Sequence, residues 1–441
     1  MLGTSLAGAS FQLVDLAFVS RLGEDATTAV VVTNQSLRQA FFMIVMGASF
    51  GAQGLIARFV GEGRGDAADH AAGQLMLLGL AVASLAALVG VLAPRPLLAA
   101  LNVSESVLEV GAPYVRSVFA LSAGLVFVLF TSAILNGAGD ATTPFLVAIL
   151  QTPLALFAEW CFIFGNLGAP RLGIHGVAVG IAVGQIGAIA LCARVLFRGT
   201  SRVHLRLHHL VPDPPLLRRL VGLSWPPAVQ LLSGFLVTVF FIRLAGDFGA
   251  TAQTAYSIGL RLGMLGPMLA FPIAGACATL VGQNLGAGQL PRAWRALGVG
   301  LAVHAALLWS LAGLIFVFRV PIVAAFSDDA EVIRIGSELL AYQAGAFGFL
   351  AFYFVFLRTL QGAGDVRVPM LISLANALCV TLPLGVWLAG PRGLGPTGIF
   401  VATLVGSASV TLATGAWIAT GSWTRGRGDP GPPAGQGADA R

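Results

Sequence analysis

The chain is 441 residues long, with 57% apolar and 10% charged residues and a mean hydropathy of +0.87. A soluble domain carries about 25% charged residues, so a water-exposed globular fold is excluded. The formal charge of +6 comes from 25 basic residues, all arginine, spread thinly at the ends of apolar runs without interleaved aromatics, which excludes a nucleic-acid surface.

In chain order, twelve apolar spans are predicted at approximately 1–21, 27–57, 72–93, 112–136, 143–166, 173–197, 221–245, 252–284, 295–319, 338–361, 367–390 and 397–420. Alternation is weak, so helices rather than barrel strands are the spanning elements. Spans two and eight are long enough to tilt or to run past the lipid. The first span begins at Met1 without the charged flank of a cleavable leader, as expected if the sequence starts short of its full N-terminus. The stretch 198–220 is polar, basic and rich in proline, and is the expected cytoplasmic linker between an N-lobe (1–197) and a C-lobe (221–420). The Gly- and Pro-rich tail, 421–441, is expected to be disordered and cytoplasmic.

Two landmarks recur. Gly61-Glu62-Gly63 returns as Gly286-Ala287-Gly288, and Leu135-Asn136-Gly137-Ala138-Gly139-Asp140 before Pro144 returns as Leu360-Gln361-Gly362-Ala363-Gly364-Asp365 before Pro369, both at an offset of 225 residues. One offset for two landmarks indicates a duplicated half. Six spans per half give both halves one orientation, with a pathway expected in the cleft between them. The Gly-Ala-Gly-Asp segments lack the Lys-Ser/Thr of a phosphate loop. They read as tight turns between helices, with the prolines opening the next helix. Counting arginines by connection gives fourteen on the even-numbered side, Arg358 among them, against eight on the other. That places both termini in the cytoplasm of an inner (plasma) membrane.

Charges inside apolar spans are the sharpest functional signal, because burying one is expensive unless it is paired or used. Asp15 lies in the first span with Gln12 on the same face, and Glu159 lies mid-span with Gln151 nearby. Burial of a carboxyl disfavours its charged form, so an acid in such a place suits proton coupling; the competing readings are a span-end carboxylate near Arg21 and an interfacial Glu beside Trp160. Arg38 and Arg261 occupy corresponding stretches of the two halves, either lining the cleft or satisfying backbone at helix ends. Gln12, Asn34, Arg38, Gln151 and Arg261 are the candidate cleft residues. Adding 225 to Asp15 and Glu159 reaches Phe240 and Leu384, so coupling chemistry is expected in the N-terminal half. The isolated cysteines give no metal or redox spacing. His204, His208 and His209 have plausible metal spacing but read as a solvated segment. No catalytic constellation is present, so no enzyme, metal or cofactor is expected.

The stretch Val14-Asp15-Leu16-Ala17-Phe18-Val19-Ser20-Arg21-Leu22-Gly23, the exit Ala57-Arg58-Phe59-Val60-Gly61-Glu62-Gly63, the segment Leu135 to Pro144 and Gln283-Asn284-Leu285-Gly286-Ala287-Gly288 resemble the multidrug and toxic compound extrusion (MATE) family over roughly 1–420. The resemblance implies an all-α membrane protein of twelve helices in two six-helix lobes around a V-shaped cleft. It implies export of small amphipathic, often cationic organic compounds in exchange for protons, with sodium as an alternative and a lipid-linked sugar flippase of the same superfamily as another. In the prokaryotic DinF-like branch the first-helix aspartate matches Asp15 and the fifth-helix acid matches Glu159. That branch often has Asn where Ala155 stands and Thr near Ile181, so its cation network is incomplete here. The seventh- and tenth-helix acids of the NorM-like branch are missing from 230–238 and 339–357, against a sodium site in the second lobe.

Overall fold

The computed structural model describes residues 14, 15, 17–199, 201–390 and 393–424. Among them there is no β-strand, and eleven helical stretches are long and apolar enough to cross a membrane. These are α1 (Glu24–Gly61), α2 (Gly65–Leu92), α3 (Glu105–Ala138), α4 (Thr142–Phe164), α5 (Ile174–Arg198), α6 (Pro214–Gly246), α7 (Ala250–Gly286), α8 (Leu290–Ala324), α9 (Ala330–Gly362), α10 (Arg367–Ala389) and α11 (Pro396–Ala419). They match expected spans two to twelve. The expected first span is described only from Val14 onward, ending in the tight turn Ser20–Leu22, and Gln12 lies outside the described residues.

The repeated landmarks are repeated helix ends. Gly63, Gly139, Gly288 and Gly364 all have positive φ, at 72°, 91°, 70° and 84°. Each sits in the same pair of backbone bonds. Asp140 N donates to Leu135 O (2.8 Å) and Gly139 N to Asn136 O (3.0 Å); Asp365 N donates to Leu360 O (2.9 Å) and Gly364 N to Gln361 O (3.0 Å). Arg64 with Phe59 (3.0 Å) and Gln289 with Asn284 (2.8 Å) repeat the longer bond. Capping the last carbonyls this way needs a left-handed residue, which glycine adopts without steric cost. The carboxylates beyond the turns differ. Asp140 Oδ1 accepts from the N–H groups of Thr142 and Thr143, both at 3.0 Å, and so starts α4, whereas Asp365 Oδ2 accepts from Trp417 Nε1 at 2.8 Å.

The buried core falls into separate clusters, the first of which takes in the start of α6. One large cluster runs from Val45 to Leu220 and includes Leu75, Phe130 and Ile134; two others, around Phe347 and Phe400 and around Val281 and Val355, lie in the second half. The halves meet where α1 packs on α6, α7 and α9. There, at the end carrying the four glycine turns, backbone touches backbone: a Cβ at Gly54 would fall on Gln361 O, one at Gly61 on Gln283 O, and one at Gly286 on Arg58 O. Small residues permit such close approach.

Three expectations change. Arg358 is not a loop arginine marking topology: it lies inside α9 and is 1% exposed. The linker is docked rather than solvated. His209 is 5% exposed, its carbonyl and that of Val211 accept from Gln74 Nε2 at 3.0 and 2.7 Å, and His204 N donates to Asp69 Oδ1 at 2.8 Å. The start of the tail is also held: Trp423 is 2% exposed and packs on Trp294 with ring centroids 5.0 Å apart. Residues 425–441 lie outside the described ones.

Candidate functional site

The first-half polar cluster is assembled by the segment before α1, by α1 itself and by α3 and α4. Glu159 is fully buried on α4, and neither carboxylate oxygen has a hydrogen-bond partner among the described residues. Asp15 is half-buried, and its Oδ1 is likewise buried without a partner. Arg38 ends a π-helical stretch of α1, Thr33–Arg38, and lies within electrostatic reach of both acids. π-Helical turns inside α-helices occur frequently at functional sites. Here the turn presents Asn34 and Arg38 together. Asn34 Oδ1 accepts from the hydroxyl of the fully buried Tyr114 at 3.2 Å. Buried carboxylate oxygens without partners are costly unless the acid is protonated or its charge is balanced.

Glu159 is buried because α5 passes unusually close. A Cβ at Gly180 would stand 2.7 Å from Glu159 N and 2.8 Å from its Cα, and Gly176 and Gly184 repeat the approach one turn to either side. Beside the cluster is a small, partly open cavity lined by Arg38, Phe41, Ser122, Ile181 and Gln185 among others. Ser122 Oγ is buried and unpartnered as well, where α3 is interrupted between Ala120 and Ala123. Of the remaining candidates, Gln151 is half-buried on α4, with its carbonyl against Gly184 and its side chain not among the cavity lining. Arg261 is exposed on α7. The structure therefore brings Asp15, Asn34, Arg38 and Glu159 together and leaves Gln151 and Arg261 apart from them.

The MatE family model matches residues 1–161 and again 226–387, the second match starting 225 residues after the first. The chain belongs to the MATE family. Members of this family are transporters rather than enzymes, and this one is a multi-pass membrane protein with the family's multidrug-efflux relatives. It is 25% identical over 401 residues to a probable multidrug resistance protein NorM of Thermotoga maritima, covering 91% of this chain and 86% of the relative. To an FAD transporter of Shewanella oneidensis it is 26% identical over 394 residues, covering 87% and 85%. Among solved structures it resembles an outward-facing multidrug resistance MATE transporter of the MOP superfamily (TM-score 0.87, 19% identity, 96% and 94% covered) and a Vibrio cholerae MATE transporter (0.87, 22%, 96% of each).

In this MATE transporter the sequence did not single out the polar seam between the halves. Arg358 donates to Gln361 Oε1 at 2.8 Å and to Gln53 Oε1, and its guanidinium lies 3.7 Å over the Phe50 ring. Gln53 Nε2 donates to Thr279 Oγ1 at 2.9 Å, and Thr279 Oγ1 to Asn136 O at 2.9 Å. Gln283 Nε2 donates to Gly137 O at 3.0 Å, and within the second half Gln230 Nε2 donates to Ser373 Oγ at 2.6 Å. A buried cation among amides and an aromatic face ties α1 of one half to α7 and α9 of the other without an acid partner. The available signal was that Gln361 and Asn136 are mates in the repeated landmark; Tyr114, Ser122 and Gln185 gave none, because single polar residues in apolar spans do not announce a shared cavity.

Proposed function

We propose that this MATE transporter is a proton-coupled antiporter of the inner membrane that exports small amphipathic organic compounds, with Asp15 and Glu159 as the coupling acids. One observation carries the reading: two acids with unpartnered buried oxygens stand near a fixed cation, Arg38, at the edge of a cavity in the first lobe. Proton loading raises the local charge by one while Arg38 stays constant, so the field in the cavity changes sign or nearly vanishes. A bound cationic group then loses its counter-charge and leaves; rebinding favours the deprotonated acids. Because a ligand shifts an equilibrium only by its differential affinity for the two states, proton and substrate compete through these groups. The seam around Arg358 holds the lobes together at the end carrying the glycine turns, which the arginine pattern assigns to the cytoplasm, so the state described is closed on that side. Sodium, as an alternative coupling ion, would use the same oxygens.

The test is ethidium efflux from everted vesicles energised by a proton gradient alone, comparing the unmodified protein with Asp15→Asn. Efflux that disappears in the variant supports the reading. Efflux that persists in Asp15→Asn, with both proteins inserted equally, rules out its coupling role. A second reading is export of an anionic flavin nucleotide: Arg38 is the only charged side chain lining the first cavity among the described residues, and one relative is named an FAD transporter. Competition of FAD with ethidium, lost in Arg38→Gln, separates the two.

A further inference from the structure

The second lobe contains a partly open cavity that the coupling chemistry does not use. It lies between α7, α9 and α11, and its walls include Tyr256, Leu339, Tyr342, Gln343, Phe347 and Phe400. No charged side chain lines it. The rings of Tyr256 and Phe400 are parallel to within 5° with centroids 6.3 Å apart, and Tyr342 tilts onto Phe400 at 6.4 Å. Small-molecule sites are mostly apolar and aromatic, with a few placed polar groups that fix orientation, and this cavity has that make-up.

The polar group is Gln343. Its Oε1 is buried and has no hydrogen-bond partner, which costs free energy unless something donates to it. The amide is pinned from behind: α7 breaks at Met264, and a Cβ at Gly263 would fall on Gln343 Nε2. No charged side chain supplies a counter-ion in the cavity, so burying an ionised ligand there carries its desolvation cost. The cavity fits a flat, neutral ring with one donor.

We propose that this cavity binds uncharged planar aromatic compounds bearing an O–H or N–H group, with the ring against Tyr256, Phe347 and Phe400 and the donor on Gln343 Oε1. The site is separate from Asp15 and Glu159, and its occupancy is independent of their protonation. It does not rest on the export reading above.

Binding of 2-naphthol and of 2-methoxynaphthalene, which lacks the donor, is measured by fluorescence on the full chain in nanodiscs, with empty nanodiscs subtracted. The unmodified protein is expected to prefer 2-naphthol by about three- to tenfold, the effect of one neutral hydrogen bond. Gln343→Leu erases that preference and leaves 2-methoxynaphthalene unchanged. Phe400→Leu, on a different helix, weakens both probes. Affinity stays the same between pH 6 and pH 8 and in Asp15→Asn. Equal binding of the two probes to the unmodified protein overturns the proposal without reference to any variant. Binding that follows pH or vanishes in Asp15→Asn places the ligand in the first lobe and overturns it equally. Failure of proton-driven ethidium efflux, by contrast, leaves this site standing.

Discussion

In the first lobe, Asp15, Glu159 and Arg38 gather beside a cavity that presents charge; in the second, the positions 225 residues on from the two acids are Phe240 and Leu384, and the cavity is aromatic and neutral. Yet the helix ends of the two lobes are copies down to individual backbone bonds. The difference shows which parts of a duplicated unit are free to diverge. A capped turn depends on backbone geometry and on glycine, so the repeat preserves it. A side chain facing a cavity is held by nothing in the repeat, so one lobe carries acids where the other does not.

The largest expected effect breaks that asymmetry directly. Glu159→Gln weakens the coupling between proton and substrate binding by about tenfold or more, whereas Leu384→Ala at the corresponding position leaves the pH dependence intact; pH-jump uptake in proteoliposomes reads both. Equal losses in the two variants would remove the distinction between the lobes.

Next in size is the seam that joins them. Arg358→Leu removes the donor to Gln53 Oε1 and Gln361 Oε1 and costs about 2–4 kcal/mol of lobe closure. Spin labels at Asp66→Cys, in the first turn of α2, and Gln289→Cys, capping α8 in the opposite lobe, are expected to move to longer and broader distances. An unchanged distance distribution means that backbone packing around Gly54 and Gly286 closes this end unaided.

The shared scaffold is tested by a matched pair. A Cβ at Gly176 would stand 2.6 Å from Ile163 N on α4, and one at Gly398 would collide with Ala389 on α10. Gly176→Val and Gly398→Val should each destabilise by about 1–3 kcal/mol and lower the melting temperature to a similar degree. A large loss in one lobe alone would show that the α4–α5 and α10–α11 pairs are not equivalent.

The smallest effect concerns the linker, which has no counterpart in the second lobe. Burial, and then the neighbouring His208, holds the His209 imidazole below the usual histidine value of 6.5. The undocked linker therefore takes up a proton more readily than the docked one. Its docking is fully present above pH 6.5 and weakens as the pH falls below it. Protease cleavage within 201–213 should rise on acidification and become insensitive to pH in His209→Asn.

Apolar runs, glycine turns and a fixed offset were enough to read eleven of the spans, the duplication and the placement of the acids in the first half, because each is a local or periodic property of the chain. Even Glu159 stood out as a charge in an apolar run. What surrounds it did not: Gly180 is one of 56 glycines, and only the packing of α5 on α4 makes it the residue that seals the acid in. Gln12, paired with Asp15 in the sequence, lies outside the described residues. Arg38 and Arg261 look like mates, but the π-helical turn of α1 carries Arg38 to a cavity while Arg261 stays exposed.

Composition, periodicity and the repeat offset alone make this a helical, duplicated membrane protein with both mid-span acids in one lobe, since none of them requires knowledge of contacts. The tertiary structure alone decided that Arg358 is a buried tie between lobes rather than a topology signal, that the linker is docked on α2, and that the second lobe holds a neutral aromatic cavity. Those outcomes depend on which helices touch. Contacts between residues such as Gln53 and Arg358, some three hundred positions apart, are set by the packing of whole helices and leave no mark on the neighbours of either residue in the chain.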